Sequence, residues 1–109
     1  MIIATRILTV IDKGEQKVAI RLHSPEPGKV DWICRFEIDW PEGKGERQAA
    51  GIDAVQAIIH ALQMIGAELY TSPQHKAGRL EWLAPGHGYG FPVANNIRDL
   101  LIGDDKTFL

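Results

Sequence analysis

A single cysteine, Cys34, in a chain of 109 residues rules out an intrachain disulfide, and with it a small secreted scaffold held by bridges. Serine is almost as scarce. Ser24 and Ser72 each stand beside a proline and no Gly-x-Ser-x-Gly elbow is present, which argues against serine-hydrolase chemistry. No apolar run approaches the roughly 20 residues of a membrane-spanning helix. Met1-Ile2-Ile3-Ala4-Thr5-Arg6 lacks the features of a signal peptide, so the expected location is the cytoplasm and no membrane partner is expected. Excess charge is missing too. Twelve basic residues against fourteen acidic ones give a net charge of −2, and the bases are scattered, so nothing marks a nucleic-acid partner.

What is present is the ordinary balance of a globular protein, with 45% apolar and 24% charged residues. A chain of this length can bury roughly 60 to 70% of its unfolded surface, so residues 1–109 are read as one domain.

The pattern predicts an α+β fold: an antiparallel sheet of about four or five strands packed on one long helix, with a short C-terminal helix. Ile2 to Asp12 is β-branched and apolar, Asp12-Lys13-Gly14-Glu15 turns, and Lys17 to His23 alternates, so the two segments form a hairpin. After the proline-broken stretch Ser24 to Gly28, Trp32, Cys34, Phe36, Ile38 and Trp40 share one face of a third strand and are expected in the core. Glu37 and Asp39 fall on the other face and are expected in solvent. Glu46 to Ala50 is a short fourth strand, and Arg79 to Ala84 reads as another.

The helix runs from about Gly51 to Tyr70. Asp53 followed by Gln56 resembles a capping box. Ile52, Val55, Ile58, Ile59, Leu62, Ile65 and Leu69 define the apolar stripe expected to hold the sheet. Gly66 interrupts it at a cost of about 1 kcal/mol relative to alanine, which close approach of another backbone would explain. The opposite side contains no Lys or Arg. Ala57, His60, Ala61 and Met64 are therefore interface candidates, covered either by a second subunit or by the C-terminal segment carrying Ile97, Leu100, Leu101 and Phe108. Asp104-Asp105 reads as solvated surface.

The Gly-His-Gly-Tyr-Gly-Phe stretch at 86–91 is the most distinctive local feature. Glycines permit close backbone approach, and His87 and Tyr89 are able to exchange protons or stack, so a pocket bounded by His75, Arg79 and Trp82 forms a candidate ligand site. The competing reading is a turn whose aromatics tuck against the sheet. No Lys-Ser/Thr follows as in a phosphate loop. His23, His60, His75 and His87 lack the close pairings of metal sites, no cofactor is expected, and Cys34 reads as a small core residue.

At Gly51-Ile52-Asp53-Ala54-Val55-Gln56-Ala57, Glu68-Leu69-Tyr70 and Gly88-Tyr89-Gly90-Phe91-Pro92, the chain resembles small bacterial proteins grouped as a domain of unknown function. The resemblance runs over nearly the whole length. It implies a bacterial, stand-alone domain and brings no activity or catalytic residues. The combined reading is a non-enzymatic interaction or regulatory module, homodimeric and using the helix or an open sheet edge. The alternative is a small-molecule binding protein or minor enzyme using the loop at 86–91.

Overall fold

The computed structural model describes all 109 residues, Met1–Leu109. Strands β1 (Ile2–Ile11) and β2 (Glu15–His23) pair antiparallel around a three-residue turn in which Lys13 and Gly14 take φ angles of 57° and 144°. A two-residue strand β3 (Glu26–Pro27) extends the line of β2 beside the start of β4 (Trp32–Trp40). Pro41-Glu42 then turns the chain into β5 (Gly43–Gly51), which pairs along all of β4 and is longer than the sequence pattern suggested. After helix α1 (Ala54–Tyr70) and one turn, α2 (Pro73–Lys76), the short β6 (Leu80–Glu81) pairs with Thr9 and Val10. The result is an α+β fold with a six-stranded antiparallel sheet whose edges are β5 and most of β1. No helix is long and apolar enough to cross a membrane.

One face of the sheet is covered. Helix α1 lies over β4 and β5, while the C-terminal segment contributes Tyr89, Phe91, Val93 and Leu101 to the same core as Leu8, Val18, Ile20, Cys34, Phe36 and Ile38. The expected inward set of β4 holds, with Trp32 and Trp40 partly buried at its ends. Glu37, expected in solvent, is buried in an ionic cluster on the outer face. Its carboxylate meets His23 at 3.1 Å, Lys44 at 3.3 Å and Arg21 at 3.5 Å. Burial raises its pKa, but the hydrogen bonds and charge presented by His23 and Lys44 outweigh it and hold the group below the usual carboxylate value.

The helix begins where its cap predicts. Asp53 Oδ1 accepts from the Gln56 N–H at 2.8 Å, and Gln56 Oε1 accepts from the Ile52 N–H at 2.8 Å, one residue earlier than a standard capping box. Its rotation differs from expectation. Ala57, Ala61, Ile65 and Leu69 face the sheet, whereas Ile52 is 79%, Val55 63% and Ile59 47% exposed. Alanines let α1 sit close to strands that already carry Phe36, Ile38 and two tryptophans, so volume comes from the sheet rather than the helix.

Gly66 is where the helix meets other backbone. A Cβ there would overlap the carbonyl oxygen of Pro92, as the chain crosses α1. Beyond the crossing, Asn95–Leu100 forms 3₁₀ turns and Gly103–Phe108 a final helix, α3. Leu101 docks in the core, but Phe108 lies exposed because it projects from the outer side of α3. Gly66→Ala should lower stability in urea unfolding by about 1–3 kcal/mol, the usual cost of overpacking, despite alanine's better helix propensity.

Candidate functional site

Beneath the glycine-rich loop lies a buried polar network centred on Asp105, a residue expected from the sequence to be solvated. Asp105, in the first turn of α3, is only 2% exposed. Its Oδ2 accepts from the Tyr70 hydroxyl at 2.5 Å and the Tyr89 N–H at 2.8 Å, and its Oδ1 accepts from the Gly90 N–H at 2.8 Å. Gly88 and Gly90 take positive φ angles, 87° and 74°, that aim these N–H groups inward, and a Cβ on Gly88 would strike the Asp105 carboxyl. Tyr70, His75 and Tyr89 pack with ring centroids 4.9–5.5 Å apart, and the Tyr89 hydroxyl shares a hydrogen bond with His75 Nδ1. Burial first, then the charge of Asp105, raises the pKa of both tyrosines, so each stays an O–H donor. The Asp105 carboxylate is engaged by three donors from within the chain, so the network ties the C-terminal segment to the core.

The five ligand-site candidates are consequently separated. Tyr89 and His75 belong to the buried network, Arg79 pairs with Asp12 across 3.5 Å at the surface, and Trp82 lies under Arg6. His87 is exposed, 3.7 Å from Asp104. Only Trp82 and His87 share a hollow, a shallow one of about 200 Å³ that also touches Asp104 and Phe108. Of the interface candidates, Ala57 and Ala61 are fully buried against the sheet and offer no surface. His60 and Met64 line an open hollow of about 370 Å³ between β5 and α1, where His60 Nδ1 lies 2.8 Å from the Ala50 carbonyl oxygen. The C-terminal segment meets the helix mainly around Gly66 and Tyr70, and its Ala94 closes one end of this hollow. Cys34 is buried, its thiol donates to the His23 carbonyl at 3.3 Å, and burial pushes its pKa up, away from nucleophilic use. No three His, Cys, Asp or Glu side chains converge as metal ligands.

A groove that the sequence did not reveal lies at the start of β1. Ala4, Thr5 and Arg6, with Ile20 and Leu22 of β2, form one side; Leu62 and Ile65 of α1 and Gly90-Phe91-Pro92 complete a half-open space of about 250 Å³. Arg6 is its one charged group. The guanidinium sits 3.9 Å from the Trp82 ring centre and donates to the Tyr89 and Gly90 carbonyls at 3.1 and 3.0 Å, leaving an otherwise apolar lining. Burial lowers its pKa, opposed by the charge of Asp105. The groove arises because α1 covers β4 and β5 while the returning chain crosses it at Gly66, in the second half of the helix. Val55 and Ile59, two turns and one turn before Leu62, continue the apolar surface from the groove along the helix.

These features define a small α+β protein with a polar network centred on buried Asp105 and an apolar groove beside an open sheet edge. The chain belongs to the family described as Domain of unknown function (DUF6968), whose model matches residues 4–93. No curated protein matches the chain, and no solved structure does. The match ends before α3, so Asp105 lies outside it while its partners Tyr70 and Tyr89 lie within.

Asp105→Asn should lower stability by about 2–3 kcal/mol in urea unfolding, because an amide cannot accept from all three donors. Combined with Tyr70→Phe, the loss should be smaller than the sum of the two singles. Burial lowers the His75 pKa, so the unfolded chain takes up its proton first. The contribution of neutral His75 is therefore complete above the ordinary value of 6.5 and is lost as pH falls below it. Thermal melts should show declining stability on that acid limb, and His75→Phe should flatten it.

Proposed function

We propose that this protein is a non-enzymatic interaction module of the bacterial cytoplasm that works as a homodimer. The observation that carries this reading is the bare apolar strip of Ile52, just before α1, and Val55 and Ile59 on it, 79%, 63% and 47% exposed beside helix residues that are largely covered. Apolar side chains in a row, continuous with a groove through Leu62, are the surface a partner removes from water. Ile2, Ile3 and Ile7 add further exposed apolar area on β1. At roughly 25 cal/mol per Å² buried, an uncovered patch of this kind favours association.

Non-enzymatic action is supported by what the polar groups do. Tyr70, His75, Tyr89 and Asp105 satisfy one another, and Glu37 is held by His23, Arg21 and Lys44. The small-molecule alternative at 86–91 is carried less far, since Tyr89 is buried and His87 is exposed.

Sedimentation at micromolar concentration should give a dimer. Ile59→Glu should weaken self-association at least tenfold while leaving the melting temperature of the monomer near that of wild type, because the side chain is already half in solvent. A monomeric wild type across this range would overturn the homodimer.

A further inference from the structure

The two edges of the sheet are built differently. The β5 edge carries Lys44, Glu46 and Arg47, exposed charges of the kind that keep an edge from pairing with another chain. The β1 edge carries no such exposed charge, and its one irregularity is the register shift between Ile2 and Ala4 at its very start. From Ile2 to Leu8 its one charged residue is Arg6, which turns into the groove and is held by Trp82 and two carbonyls. β6 occupies this edge only at Thr9 and Val10. The Ile11 N–H donates outward to Arg79, and the strand period of two carries that direction to Thr9, Ile7 and Thr5. Thr5 and Ile7 therefore present backbone donors and acceptors that find no partner on that side within the chain.

Resting on the homodimer reading, we infer that its seam is antiparallel pairing of β1 with β1 of a second copy, centred on Thr5. This register sets Thr5 opposite Thr5 and Ala4 opposite Arg6, with regular pairing bounded by the irregularity between Ile2 and Ala4, and it ends before the segment occupied by β6. Charge selects it. Arg6 faces Ala4 of the partner rather than Arg6, as a register centred one residue later would require. The two-fold axis stands perpendicular to the sheet, so both helices remain on the same face. The two grooves then open toward one another, and Val55 and Ile59 of each copy look across the seam. A second copy fits this edge because an uncharged strand is its own complement, whereas a charged partner would have nothing here to meet.

Thr5→Cys tests the register. Residues paired in this way have Cα atoms about 5.5 Å apart, within disulfide range, and Thr5 is exposed, so the substitution leaves the fold intact. Mild oxidation should convert most of the protein to a disulfide-linked dimer, whereas Gln48→Cys on the β5 edge should stay uncrosslinked. Cys34 is buried and does not compete. Ile7→Lys should weaken the dimer at least tenfold without lowering the melting temperature of the monomer. A dimer that resists crosslinking at position 5 and tolerates Ile7→Lys overturns the β1 seam while leaving the homodimer reading standing. A monomeric wild type overturns both, and a monomer that binds an extended apolar peptide along β1 assigns the edge to another occupant and refutes the second copy.

Discussion

The carbonyl of Pro92 lies against Gly66 so closely that no side chain fits between them. This contact sets where the returning chain crosses the helix, and much else follows from that position. On one side of the crossing, Phe91 and Val93 seal the core and Tyr89 reaches His75 and Leu80. On the other, the first half of α1 has no cover, so Val55 and Ile59 stay in water and the groove beside β1 remains open. Glycine lowers helix propensity by about 1 kcal/mol, an expense offset by the core that the crossing completes.

Asp105 secures the segment once it has crossed. Three donors from two distant places converge on one buried carboxyl, and each donor would be costly to bury alone. The glycine-rich loop is thus explained by backbone geometry: its positive φ angles turn two N–H groups toward Asp105. A stretch that reads as a ligand loop serves as the inner half of a latch. The surfaces the latch leaves free are the strip on α1 and the edge of β1.

Those two surfaces belong to one end of the molecule. Ile2 pairs with His23 and Trp32 with Gly51, so the start of β1, the end of β2 and the entrance to α1 lie at the same end of the sheet. Charge is concentrated elsewhere, on the outer face around Glu37 and along β5. Separation of an ionic face from an apolar end suits a protein that associates in one direction and stays hydrated in the others.

The sequence by itself determined the local elements. Alternation placed Cys34, Phe36 and Ile38 inward, Asp53 and Gln56 marked the helix start, Gly66 signalled a close backbone approach, and the family resemblance was legible in short motifs. These are short-range effects, carried by residues a few positions apart. Tertiary structure alone decided the rotation of α1, because counting apolar residues favours the isoleucine side, whereas close packing over a bulky sheet favours Ala57 and Ala61. It also decided that Asp105 is buried, since its partners stand 35 and 16 residues away, and that Phe108 is not. The groove likewise exists only once β1, α1 and Phe91 are brought together, which no local pattern of residues encodes.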